Sequence, residues 1–187
     1  VTGATPLGVF KSAYTTLSAA GATRQEVALA TQHLKALYSA SSLKNLFFGN
    51  VGGCLGETSF LLLLLGAIYL LAKRIICWRI PVSYIGTVAL ITWIIGGRGM
   101  FDGYPLFHIL SGGLALGAFF MATDMVTSPV TPKGKIIFGI GCGVLTSIIR
   151  LKGGYPEGVS YSILLMNITV PLIDRYTRPV KFGQVKK

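Results

Sequence analysis

Four acids stand at the edges of long uncharged stretches: Glu57, Asp102, Asp124 and Glu157. A carboxylate at membrane depth is costly and usually faces a cavity or a partner, so these are candidate ion-path groups. Each also suits a helix end. A second kind of chemistry lies in Phe48-Gly49-Asn50-Val51-Gly52-Gly53-Cys54-Leu55-Gly56-Glu57-Thr58-Ser59. Backbone N–H groups of such a loop, feeding a helix N-terminus, can cradle an anion. There is no Lys-Ser/Thr ending, so this is not a P-loop. Tyr155-Pro156-Glu157-Gly158 opens a later apolar stretch in a similar way. Cys54, Cys77 and Cys142 are far apart with no Cys-x-x-Cys, which supports neither zinc nor a self-contained iron–sulfur centre. His33 falls on a surface helix and reads as a solvated side chain. His108 lies inside an apolar stretch and reads as a neutral imidazole satisfied by a neighbouring carbonyl.

The elements that must position these groups are membrane helices. Hydrophobic residues make up 52% of the 187 and charged residues only 12%, against about 25% charged in a soluble domain. Five stretches qualify as spans: between Glu57 and Lys73, Arg79 and Arg98, Asp102 and Asp124, Lys135 and Arg150, and Glu157 and Asp174. Their uncharged lengths are 15, 18, 21, 14 and 16 residues. A crossing needs about 20. Either charges such as Glu57, Arg150 and Glu157 sit at or below the membrane rim, or the helices are broken, as in inverted-repeat transporters. Gly113 with Gly117, and Gly139 with Gly143, have small-xxx-small spacing and predict close helix packing inside the subunit.

The net charge of +11 invites a nucleic-acid reading. No compact basic patch interleaved with exposed aromatics supports one. Topology accounts for the charge instead. Lys73, Arg74, Arg79, Lys133, Lys135, Arg175, Arg178, Lys181, Lys186 and Lys187 fall on one side of a five-span arrangement, which the positive-inside rule makes the cytoplasm. Residues 1–55 and the two motif-bearing loops then lie outside, where the loops could face each other across a shared cavity. The organisation expected is an outer segment (1–55), a membrane domain (56–175) and a basic cytoplasmic tail (176–187). Within the outer segment, residues 23–40 predict a helix. Thr23 and Glu26 have capping-box spacing, and Val27, Ala30, Leu34 and Leu37 share a face. The chain starts at Val1 without Met or a signal-peptide layout, so a fragment is expected.

Thr2-Gly3-Ala4-Thr5-Pro6-Leu7 resembles the [Ser/Thr]-Gly-Ala-Thr motif in which the last Thr carries FMN through a phosphoester. Further resemblance runs in order through Gly53-Cys54-Leu55-Gly56-Glu57-Thr58-Ser59, Phe120-Met121-Ala122-Thr123-Asp124, Thr127-Ser128-Pro129, Gly154-Tyr155-Pro156-Glu157-Gly158-Val159, Leu165-Met166-Asn167 and Pro171-Leu172-Ile173-Asp174-Arg175-Tyr176. Together these are similar to the family holding the D subunit of the Rnf electron transport complex and the B subunit of the sodium-pumping NADH:quinone oxidoreductase. The wording Gly153-Gly154-Tyr155-Pro156-Glu157-Gly158-Val159 is closer to the Rnf protein.

The resemblance covers the whole chain but only the C-terminal half of such a subunit. It implies an all-α membrane protein of about five transmembrane helices, one half of an inverted-repeat fold, preceded by an extramembrane flavin-bearing segment. It also implies a multi-pass subunit of a bacterial or archaeal cytoplasmic membrane and a separate flavin transferase that attaches FMN to Thr5. Partner subunits with iron–sulfur centres would complete a ferredoxin:NAD oxidoreductase translocase, since this chain has no NAD fingerprint or metal cluster of its own. Around the flavin, Thr2, Gly3, Ala4, Lys11, Gly53, Gly56, Glu57 and Thr58 are the expected binding residues. A second Gly-Ala-Thr ends at Thr23, but Ala20 stands where the motif needs Ser or Thr, and Thr23 is wanted as a helix cap. Alternatives are the equivalent subunit of the quinone-reducing pump, and a solute transporter or channel half without flavin.

Overall fold

A computed structural model of the protein describes residues 5–18, 23–53, 56, 58–96, 101 and 103–178. Thr2, Gly3, Ala4, Glu57 and Asp102 lie outside the described residues. Among the described residues the secondary structure is entirely helical. Three helices precede the first apolar stretch: α1 (Pro6–Ser18), α2 (Arg24–Leu37) and α3 (Ala40–Phe48). The helix expected over 23–40 divides at Tyr38, and Ser39 caps α3 by accepting from the Ser42 N–H at 3.4 Å. The capping-box arm is present: the Glu26 carboxylate accepts from the Thr23 N–H at 2.9 Å and from its hydroxyl at 2.7 Å. Those bonds hold Glu26 below its ordinary pKa. On α2, Ala30 is buried, while His33 is exposed.

The apolar stretches become α4 (Phe60–Ala72), α5 (Arg79–Ile95), a third segment in pieces, α8 (Pro132–Leu151) and α9 (Val159–Thr177). The third segment consists of α6 (Pro105–Leu110), α7 (Leu114–Leu116) and a π-helical turn, Gly117–Met121. Only α8 is both long and apolar enough to cross a membrane by itself, among the described residues. This corrects the expectation from uncharged length. The longest uncharged stretch is the broken one, at Ser111-Gly112-Gly113, where Gly112 has φ +72°. The shortest forms a continuous helix of 20 residues because it takes Arg150 inside, 2% exposed.

The core sits between α5, α8 and α9, with Ile80, Tyr84, Val88, Phe138, Cys142 and Ile163 at its centre. Gly139 and Gly143 set the approach of α8 to α5. A Cβ on Gly139 would fall 2.9 Å from the Ile80 carbonyl, and one on Gly143 2.6 Å from the Thr87 Cβ. The spacing read from sequence thus serves packing within the chain. Gly143→Val should strain this contact by about 1–3 kcal/mol. A thermal-unfolding midpoint equal to wild type in detergent would count against it. Inside the same core, the Tyr84 hydroxyl meets Thr146 Oγ1 at 2.7 Å and Ser162 Oγ at 3.0 Å, and these two meet each other at 2.6 Å. The three hydroxyls satisfy one another across three helices, which is what polar groups in an apolar interior require.

The two ends of the bundle are built differently. At one end Arg74 and Lys135 line a single hollow, and the Val130 N–H donates to Asp174 at 3.2 Å. Three of the loops read as cytoplasmic therefore meet at one end. At the other, α1 docks on α6: Leu7 and Phe10 are buried with Phe107 and Leu46. Leu62, Leu65, Ile68, Val82, Leu90 and Trp93 remain exposed on α4 and α5. Such outward apolar surface suits lipid or partner helices.

Candidate functional site

Thr5 stands at the N-terminus of α1. Its carbonyl accepts from the Val9 N–H at 3.1 Å, and its Oγ accepts from the Gly8 N–H at 3.2 Å. This is an N-cap, in a position where backbone donors and the helix dipole favour an anion. The cap uses the oxygen as acceptor. An ester at that oxygen removes the hydroxyl hydrogen and leaves the acceptor in place. Thr23 contrasts with it, because its hydroxyl hydrogen is already committed to Glu26.

Two concavities adjoin Thr5. One is a crevice of about 20 Å³ between Thr5, Gly52, Gly53, Thr58, Gly112 and Glu157, room for roughly one water. The other is a groove of about 390 Å³ walled by Tyr155, Pro156, Glu157, Val159, Ser160 and Tyr161. The Gly-rich loop and the Tyr155–Gly158 loop, separated by about a hundred residues of chain, do converge on Thr5. Gly53 and Thr58 face it across the crevice, which is too tight for a phosphate group. Gly56 has φ +89° and open space where a Cβ would stand, and it lines neither concavity.

Lys11 points elsewhere. Its ammonium donates to the Arg150 carbonyl at 2.9 Å, which ties α1 to the last turn of α8. Burial holds its pKa below the ordinary lysine value. It lines neither concavity at Thr5.

Beneath the crevice lies Arg150. Its Nη1 donates to the His108 carbonyl at 2.6 Å and its Nη2 to the Ser111 carbonyl at 3.3 Å. These are carbonyls that the break after α6 would leave without helical donors. Both Arg150 Nη2 and Glu157 Oε1 come within 3.2 Å of the Cβ position of Gly112, so a side chain there would wedge into the guanidinium and carboxylate. Glu157 is half-buried and borders both concavities. Asp124 is exposed, takes the Thr127 hydroxyl at 3.1 Å, and lies beyond the other end of α8. The structure does not bring Asp124 and Glu157 together.

His108 departs from expectation. Its ring is fully buried edge-on to Phe10, with centroids 4.9 Å apart, and neither ring nitrogen has a hydrogen-bond partner among the described residues. The neighbouring polar contact is to its backbone carbonyl, not its ring. Among the described residues no cluster of three His, Cys, Asp or Glu side chains could hold a metal ion. Sequence reasoning missed Arg150 as a helix-break donor and Gly112 as the break. The signal was present: Ser-Gly-Gly in the middle of an apolar stretch.

Comparison with known proteins gives these residues a context. The D subunit of the proton-translocating ferredoxin:NAD(+) oxidoreductase complex of Clostridium ljungdahlii is 62% identical over 141 residues, 75% of this chain and 43% of the relative. The D subunit of the Na(+)-translocating ferredoxin:NAD(+) oxidoreductase complex of Acetobacterium woodii is 53% identical over 150 residues, covering 79% and 45%. The D subunit of the ion-translocating oxidoreductase complex of Stutzerimonas stutzeri is 46% identical over 168 residues, covering 89% and 48%. The chain thus spans about half the length of the curated relatives it matches. Residues 1–183, nearly all of it, match the model of the NQR2, RnfD, RnfE family, and the chain belongs to that family.

Proposed function

We propose that the chain is part of a flavin-carrying electron-transfer subunit of an ion-translocating ferredoxin:NAD oxidoreductase complex, with FMN esterified to Thr5. The observation that carries this reading is the state of Thr5: a motif threonine whose oxygen caps a helix as acceptor and whose side chain borders an open groove. The residues fit the group. Thr5 supplies the oxygen of the phosphoester, and the first turn of α1 presents its positive end to the phosphate. The crevice side is closed to a phosphate, so the ester leaves through the groove. Arg150 supplies a fixed positive charge below. A bound FMN supplies stepwise electron exchange, which this chain's own side chains do not provide.

The names of the relatives support a multi-subunit redox complex, and they name both proton and sodium translocation. The partners proposed are the other membrane and iron–sulfur subunits of that complex, together with a flavin transferase for maturation. The direct test is peptide mass spectrometry of the full-length subunit made with its native maturation machinery. An FMN phosphoester increment on the Thr5 peptide is expected, and an unmodified Thr5 would exclude the reading.

The orientation proposed is multi-pass, with residues 1–55 outside and the C-terminus in the cytoplasm. It is supported by the gathering of Arg74, Lys135 and the Asp174 end of α9 at the end opposite Thr5. A reporter fused after Lys187 should be active in its cytoplasmic form. Activity of the periplasmic form would reverse the orientation.

A further inference from the structure

We propose that the flavin ring stacks on the Tyr155–Tyr161 pair in the groove beside Thr5. This rests on the reading of Thr5 as the FMN ester and adds the place of the ring. Thr5 has two concave sides, and the crevice of about 20 Å³ takes neither phosphate nor ring. The groove, about 390 Å³, is the side with room, and its volume falls in the range of about 300–1,000 Å³ typical of small-molecule sites. Its aromatic walls stand open: Tyr155 is 62% exposed and Tyr161 51%, with ring centroids 5.4 Å apart and planes inclined by 34°. Large aromatic surface left in water next to a covalent tether is surface that a tethered tricyclic ring covers, and offset stacking favours that arrangement.

The shelf is also rigid. Tyr161 lies in the first turn of α9, and the next residue, Ser162, is fixed by Tyr84, Thr146 and the Val159 carbonyl. Val159 packs so closely on Gly117 that no Cβ would fit there. Pro156 stiffens the loop that carries Tyr155. The groove therefore exists before any ligand enters, which lowers the ordering cost of binding. Another aromatic pair, Tyr38 and Tyr104, is less suited. Its rings already stack on each other at 4.1 Å, and neither lines a concavity at Thr5.

The test uses the full-length subunit, matured with its flavin transferase and purified away from other flavoproteins. A phenol beside an excited flavin gives it an electron and takes it back, which shortens the emission without net chemistry. A phenyl ring is far harder to oxidise. Time-resolved flavin fluorescence is measured for wild type, for Tyr155→Phe with Tyr161→Phe, and for Tyr104→Phe. The Thr5 peptide of each is weighed in parallel. The double Phe variant keeps the shape of the groove. It should retain the flavin and lengthen the emission lifetime severalfold, with Tyr104→Phe equal to wild type. A flavin present on Thr5 but with an unchanged lifetime in the double variant overturns the ring placement alone, and leaves the tyrosines as an aromatic belt at the membrane surface. A lifetime lengthened equally by Tyr104→Phe overturns it too. No flavin on wild-type Thr5 removes the ester reading, and the placement falls with it.

Discussion

Thr5→Asn is expected to abolish the covalent flavin while leaving α1 folded, and Thr5→Ser to keep both. The reason lies in the two uses of one oxygen. As a cap, Thr5 accepts from the Gly8 N–H at 3.2 Å, and Asn is as good a cap as any residue. As an ester oxygen, it must be a hydroxyl, which Asn lacks and Ser supplies. Thr5→Ala removes both functions and adds a cap loss of about 1 kcal/mol. The Ala variant alone would confound a missing flavin with a frayed helix. The series separates them when denatured protein is assayed for retained flavin fluorescence and the unfolding midpoint is recorded. Covalent flavin surviving in Thr5→Asn would move the attachment site elsewhere. The nearest alternative, Thr23, is a poor one. Its hydroxyl donates to a Glu26 carboxylate at 2.7 Å. A phosphate there would lose that bond and meet a like charge.

The sequence carried the large features because they depend on local rules. Charge placement in loops and apolar length located all five segments. Thr23 with Glu26, and Gly139 with Gly143, gave a cap and a close helix contact that the structure contains. The motif at Thr5 and the two Gly-bearing loops were legible as candidates, and their convergence was a natural expectation from shared sidedness. What was not legible is long-range pairing. Uncharged length points to a break in the shorter spans, yet the break is in the third. A Gly pair inside that segment and an Arg in another provide the turn and the donors together. Helix α1 was missed because its packing partners, Phe107 on α6 and Leu46 on α3, are distant in sequence. Lys11 is an expected flavin-binding residue that the structure ties to α8 instead. Its bond to the Arg150 carbonyl depends on where α8 ends, which no local pattern states.

Arg150→Met should cost about 3–5 kcal/mol of stability, well above what removal of an ordinary hydrogen bond costs. Replacing a buried charge with an apolar side chain is often harmless when its partner is another side chain that can be replaced as well. Here the partners include the backbone carbonyls of His108 and Ser111, and substitution cannot remove those. They would remain in an apolar interior without a donor, and the nearby Glu157 carboxylate would lose a neighbouring cation. Arg150→Lys should fall between, because one ammonium cannot reproduce a planar fork that reaches two carbonyls. Lys152 is exposed two residues further on, so Lys152→Met controls for loss of charge at the same helix end and should behave as wild type. The effect should also reach the site. Helix α6 carries Phe107, which packs on Phe10 of α1 with centroids 5.6 Å apart, and Thr5 caps the start of α1. Loosening the break should therefore lower the fraction of Thr5 that is flavinylated as well as the unfolding midpoint. If Arg150→Met and Lys152→Met gave the same midpoint and the same flavin content, Arg150 would not be what holds the broken segment and, through it, the threonine.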